Sequence, residues 1–115
     1  MNYLEESSRP WGKYSKFYQN HDTWIKVIEV NGNSRLSLQK HQHRREQWTI
    51  IAGQGVAIVD NREIPVCKGV TVDIPLGAVH RIANTQAETL VFIEIASGMN
   101  LTEDDIIRLQ DDYAR

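Results

Sequence analysis

One cysteine in 115 residues, Cys67, leaves no internal disulfide to form, so the core alone must hold the fold and a reducing compartment suits it. Long apolar runs are missing too. No uncharged stretch approaches the roughly 20 residues a bilayer-spanning helix needs, and the N-terminus lacks the apolar segment of a secretory signal. A soluble cytoplasmic chain is therefore expected, in which the sequon Asn100-Leu101-Thr102 carries no meaning. An excess of positive charge is also absent: 13 Lys and Arg stand against 15 Asp and Glu, a formal net charge of −2. No basic field marks a nucleic-acid or membrane partner. With no internal repeat, low-complexity stretch or linker, residues 1–115 are expected to form one domain with a modest core.

The local patterns are those of short strands. Residues 24–30 alternate well enough for a strand, and Asn31-Gly32-Asn33 is a strong turn signal. Residues 35–43 follow as a strand with Ser37, Gln39, His41 and His43 on one face and Leu36, Leu38 and Lys40 on the other. In 47–51, Glu46, Trp48 and Ile50 share a face, so Trp48 either walls a pocket or belongs to the core. Further strands at 56–59, 64–67, 70–74, 78–83 and 89–95 bring the set to about eight, as in an antiparallel sandwich or barrel. Cys67 reads as a small buried residue at the end of one of them. Residues 1–8 are polar and expected to be loosely held, with 9–14 turning across the barrel. Only the C-terminus signals a helix, running to about residue 111, with Thr102 as N-cap, Asp105 at N3, and a Leu101–Ile106 staple.

Chemistry concentrates in two stretches, 39–53 and 69–84, which hold three of the four histidines. On a strand, positions i and i+2 point to one face, so His41 and His43 can converge. Glu46 adds a carboxylate and His80 a third imidazole. This mixed N/O set suits a divalent first-row ion and can leave positions open for a substrate.

The second stretch reads G-x5-P-x-G-x2-H-x3-N through Gly69, Pro75, Gly77, His80 and Asn84, and it resembles the second motif of the cupin superfamily. The first resembles the first cupin motif, with Gly32, His41, His43, Glu46 and Gly53. Two residues separate His43 from Glu46 where the general motif has three or four, which leaves Gln47 or Gln39 as alternative ligands. A finer resemblance, to the mannose-phosphate isomerase domain at the C-terminus of bifunctional isomerase/guanylyltransferases, runs through nearly the whole chain. It is carried by Arg9-Pro10-Trp11-Gly12, Leu36-Ser37-Leu38-Gln39, His41, His43-Arg44, Glu46, Trp48, Ile74-Pro75, Ile93-Glu94, Gly98, Glu103-Asp104-Asp105-Ile106, Arg108, Tyr113 and Arg115. Ala96 and Ala114 depart from that pattern, where the family tends to have glutamine and glycine.

This resemblance implies an all-β fold, the cupin double-stranded β-helix or jelly-roll barrel, here with a short C-terminal α-helix. It also implies an aldose–ketose isomerisation between mannose 6-phosphate and fructose 6-phosphate. That reaction needs a Lewis acid, a base that carries a proton between C1 and C2, and cations for the phosphate. His41, His43, Glu46 and His80 are the expected metal ligands; zinc is the first choice, with manganese, cobalt, nickel or iron also suited. Glu94 is the candidate base, with a salt-bridged strand carboxylate as the competing reading. Arg44 is preferred for the phosphate over Lys40, Arg45 and Arg81. Arg9 and Arg115 could pin the termini. The chain has neither the length nor the glycine-rich loop of a nucleotidyltransferase, so guanylyltransferase activity is not expected of it. The expectation is a free-standing isomerase, a homodimer acting on a phosphosugar. Two alternatives stand beside it: a metal- or sugar-binding cupin without turnover, and a metal-dependent dioxygenase.

Overall fold

The computed structural model describes residues 3–113, so Ala114 and Arg115 lie outside the described residues. These residues form twelve strands and no helix: β1 (Glu5–Arg9), β2 (Gly12–Gln19), β3 (Thr23–Val30), β4 (Ser34–Arg35), β5 (Leu38–Lys40), β6 (Arg45–Ala52), β7 (Gln54–Val59), β8 (Arg62–Cys67), β9 (Thr71–Ile74), β10 (His80–Asn84), β11 (Leu90–Ser97) and β12 (Ile107–Gln110). One sheet runs β1-β2-β3-β11-β6-β9, the other β12-β5-β10-β7-β8 with β4 paired to β10, and every pairing is antiparallel. None of the described residues belongs to a helix long and apolar enough to cross a membrane.

Period-two alternation builds the space between the sheets. β3 turns Trp24, Lys26, Ile28 and Val30 inward, β6 turns Glu46, Trp48 and Ile50, and β11 turns Leu90, Phe92, Glu94 and Ala96. At one end of these strands the inward residues are apolar and meet Ala57, Val59, Val66 and Ile82 of the second sheet. Toward the other end each strand turns one charged residue inward. Lys26 lies directly opposite Glu94, and Glu46 sits beyond Trp48 on the next strand. The core closes one end of the barrel, and the polar group forms the floor of the other.

Several local expectations yield to tertiary pairing. The C-terminal helix does not form. Thr102 Oγ1 instead accepts from the Asp104 amide at 3.2 Å in a turn, and residues 107–110 leave as β12. The edge of β5 offers unpaired amides and carbonyls, and Ile107 and Arg108 pair with Lys40 and Gln39 there, which outweighs a cap and a few first-turn acids. The expected strand over 35–43 breaks at Leu36 and Ser37 and stops at Lys40. Of residues 1–8, expected to be loose, 5–8 join Arg9 in β1 along β2. Cys67 is exposed, because on edge strand β8 its neighbour Val66 takes the inward position.

Candidate metal centre

His41 directly follows β5, Glu46 sits on β6, and His80 opens β10 after the Pro75–Gly77 turn. Each histidine is oriented by a backbone carbonyl: His41 Nδ1 donates to Asp105 O at 2.6 Å and His80 Nδ1 to Ala78 O at 2.9 Å. A carbonyl can only accept, so both rings carry the Nδ1 proton and present Nε2 to the same point. His41 Nε2 lies 3.1 Å from Glu46 Oε2, and His80 Nε2 lies 3.9 Å from Glu46 Oε1. The donor atoms of the three residues all fall within 4.8 Å of one another, and all three residues are buried. His80 Nε2 has no hydrogen-bond partner, although a buried ring nitrogen ordinarily finds one. Burial, opposed in part by Glu46, lowers the His80 pKa and so favours the neutral ring a metal needs. Burial alone would raise the Glu46 carboxyl, but His41, Arg44 and His80 hold it well below the usual range. A carboxylate faced by two imidazole Nε2 atoms, one of them buried without a hydrogen-bond partner, is a mixed N/O donor set that fits a divalent cation.

The positive charge at this cluster in the structure is Arg44. Its Nε donates to Glu46 Oε2 at 2.9 Å, its Nη2 lies 3.2 Å from His41 Nε2, and its Nη1 donates to Thr102 O at 3.2 Å. The guanidinium rests 4.7 Å from the centre of the Trp24 ring. It therefore competes with an ion for two of the three ligand residues. Arg44→Met is expected to tighten zinc binding by roughly tenfold, about the worth of one charge-assisted hydrogen bond. Competition with a chromophoric chelator measures this, and an unchanged or weaker affinity would show that Arg44 supports the ligands rather than competing.

Glu46 is held from its other side by Trp48, whose Nε1 donates to Oε1 at 3.0 Å while the ring packs against Phe92. Trp48 is thus both core residue and site residue. Glu94 accepts from Trp24 Nε1 at 2.9 Å. Burial, and then the nearby charge of Glu46, push its carboxyl up to about 8. Arg44, Glu46 and Glu94 line a cavity of about 100 Å³ together with His41, Lys26 and Glu103.

The structure does not bring His43 into this group. A bend at Gln42 and His43, whose amides donate to the Asp105 carboxylate at 2.8 and 2.9 Å, turns its ring to solvent and delivers Arg44 inward instead. Of the alternative ligands, Gln39 lines the cavity, whereas Gln47 is exposed and bonds Asp73. Of the four cations weighed for a phosphate, only Arg44 lines it; Arg81 is taken up by Leu36 O and Gln110. Arg9 also lines it, stacked on Tyr14 and hydrogen-bonded to Ser7. Sequence reasoning missed Trp24, Lys26 and the orienting role of Asp105. The parity of β3, which places Lys26 inward beside Trp24 and Ile28, could have flagged the lysine. Nothing local marks Asp105, more than 60 residues from the bend it holds.

Gly98 completes the bend. A Cβ there would collide with the His43 carbonyl and stand 2.8 Å from Arg44 Cα. Gly98→Ala is expected to cost roughly 1–3 kcal/mol in thermal unfolding and to weaken metal uptake, because the backbone between His41 and Arg44 must shift. An unchanged melting temperature would mean that the bend yields freely.

Two antiparallel sheets closed around a His-Glu-His cluster define a cupin. The family described as "Mannose-6-phosphate isomerase C-terminal" matches residues 1–111, and the chain belongs to it. The alginate biosynthesis protein AlgA of Pseudomonas aeruginosa is 39% identical over 110 residues, which cover 96% of this chain and 23% of that protein. The mannose-1-phosphate guanylyltransferase ManC of Salmonella typhimurium is 36% identical over 110 residues, again 96% of this chain and 23% of the relative. Among solved structures, the capsular polysaccharide assembling protein CapF of Staphylococcus aureus superimposes with a TM-score of 0.83 at 22% identity, over 96% of this chain and 33% of that one. A cupin domain of Schizosaccharomyces pombe Cnp3 does so at 0.72 with 15% identity, over 75% and 64% of the two chains. The chain thus spans about a quarter of the length of these curated relatives. This overturns the expectation of a free-standing isomerase: its counterparts are C-terminal portions of much longer proteins, one of them named a guanylyltransferase.

Proposed function

We propose that this chain is the metal-dependent, hexose-phosphate-binding module of an enzyme of mannose-phosphate metabolism, active as part of a larger assembly rather than alone. The observation that carries this reading is the convergence of His41, Glu46 and His80 on one point, beside a cavity that His41 and Glu46 line together with an acid, Glu94, and the cations Arg44 and Lys26. A divalent ion held by these three residues, zinc first and manganese, cobalt, nickel or iron next, would supply Lewis acidity to a sugar carbonyl and its neighbouring hydroxyl.

The chain's own groups then have separate tasks. Glu94, walled by Trp24 and Trp48, is shielded from water. A carboxyl that gives up its proton near pH 8 can accept or return one at neutral pH, as the proton exchange between C1 and C2 of an aldose and a ketose requires. Arg44 rests over Trp24, bonded to the ligand carboxylate and lining the cavity, which Arg9 lines as well. Backbone carbonyls fix the imidazoles, so the centre is pre-formed.

The test is to load the chain with zinc or manganese and titrate it with mannose 6-phosphate, mannose 1-phosphate and unphosphorylated mannose. The phosphosugars are expected to raise the melting temperature and slow metal extraction by a chelator, and mannose is not. If no phosphosugar alters either quantity at millimolar concentration, the reading fails.

A further inference from the structure

Lys16 and Lys26 are placed against the usual logic of a sheet. They lie directly opposite each other on β2 and β3, both facing inward, with relative exposures of 5% and 4%. Like charges directly opposite each other repel, and buried ammonium groups cost more still. Two aromatic faces, one carboxylate and the Gln19 side-chain amide, whose Oε1 accepts from Lys16 Nζ at 2.8 Å, hold them there. Lys26 Nζ lies 4.0 Å from the Tyr14 ring centre and 4.2 Å from that of Trp24, with Lys16 Nζ 4.8 Å from the latter. Glu103 is the one carboxylate within ion-pair distance of either lysine among the described residues, with Oε2 at 2.7 Å from Lys26 and 3.3 Å from Lys16, and Oε1 at 2.9 Å from Lys26.

This carboxylate is not part of the barrel. It hangs from the turn between Ser97 and β12, and its side chain keeps 39% of its surface exposed while the lysines keep 5–7%. A bidentate anion reaching two desolvated ammonium groups from the solvent side occupies a site whose geometry suits phosphate oxygens equally well. Lys26 and Glu103 line the same cavity as His41, Arg44 and Glu46, and Arg44 shares the Trp24 ring with Lys26.

Building on the hexose-phosphate reading, we propose that Lys26, backed by Lys16, anchors the phosphate monoester of the sugar, and that Glu103 is an internal anion which that phosphate displaces. A structural lysine pair would need no exposed and replaceable counter-charge, whereas an anchor does. The resident carboxylate keeps the ammonium groups paired until the ligand arrives and sets a threshold that weak anions do not pass.

The experiment uses metal-stripped and zinc-loaded protein, with inorganic phosphate and mannose 6-phosphate as probes, read by calorimetry and by tryptophan fluorescence. Glu103→Gln, at a half-exposed position, removes the competitor and is expected to tighten phosphate binding by roughly tenfold without metal. Lys26→Met is expected to lose binding, and the Glu103→Gln/Lys26→Met double variant to lose the gain. The proposal is overturned if Glu103→Gln binds phosphate no tighter than the parent, a result that does not depend on the lysine variant folding, or if the double variant keeps the gain. If the phosphate results hold but zinc-loaded protein binds mannose 6-phosphate no better than phosphate, the anchor stands and the hexose reading falls. If mannose 6-phosphate binds the parent and Lys26→Met alike, the hexose reading stands and the anchor falls.

Discussion

His80→Ala protein is expected to take up no divalent metal under conditions that saturate the parent chain. His80 supplies one of three donor residues, its Nε2 has no other partner, and among the described residues no fourth His, Cys, Asp or Glu joins the cluster. Loss of a donor should exceed the roughly 10–100-fold that removal of an outer partner costs, so His80→Ala and Asp105→Ala differ in kind. Asp105→Ala leaves all three donors and removes only the carboxylate that clamps the Gln42 and His43 amides, so its affinity should fall within that 10–100-fold range. Without metal, His80→Ala should fold, paying about 1–3 kcal/mol for the lost packing against Trp48 and His41. Stoichiometric zinc in the dialysed His80→Ala protein, determined by atomic absorption, would remove the cluster from consideration as a metal centre. His43→Ala is the control; its exposed side chain should leave uptake unchanged.

The second large effect is a pH dependence of stability carried by Glu94. Burial and the charge of Glu46 push its carboxyl up to about 8 in the folded chain, whereas in the unfolded chain it titrates in the ordinary carboxylate range. Between that range and pH 8 the folded state keeps a proton that the unfolded state has released. The unfolded state then binds fewer protons, so stability falls as pH rises through this window, by on the order of 1 kcal/mol per pH unit for this group. His80, whose pKa is lowered, acts in the opposite sense, gaining stability as pH rises through the usual histidine range. The comparison is therefore between the parent and Glu94→Gln, both with chelator present. Glu94→Gln should lose the downward slope and be the more stable of the two at pH 8, because glutamine keeps the bond from Trp24 Nε1 with no proton to lose. Parallel urea-unfolding profiles from pH 5 to 8 would show that Glu94 is ionised throughout.

Side-chain parity made an all-β chain legible, and the resemblance of the two histidine stretches to the cupin motifs brought forward His41, His43, Glu46 and His80, of which the structure gathers His41, Glu46 and His80. Along a strand the direction of each side chain is set by its immediate neighbours, so the inward run of Glu46, Trp48 and Ile50 follows from the order of residues alone. His80 was legible from the pattern of residues 69–84 in which it follows the Pro75–Gly77 turn, although the strand was expected from residue 78 rather than 80, and Gly77 adopts a positive φ of 79° that favours glycine.

What only the tertiary structure decided depends on partners far away in the chain. His43 had the same i, i+2 relation to His41 that a strand would honour, but the Asp105 carboxylate captured the intervening amides and bent the chain there, exchanging an imidazole for the Arg44 guanidinium at the cluster. Residues 101 to about 111 carried helix signals that were locally sound. An open edge on β5 and the demand of two buried lysines for Glu103 together outweighed them. Likewise, whether Cys67 or Val66 faced the core depended on the register of β8 against β7. A cap or a turn acts within a few residues and is written in the sequence, whereas a sheet edge or a buried charge is satisfied by whichever group the fold brings near.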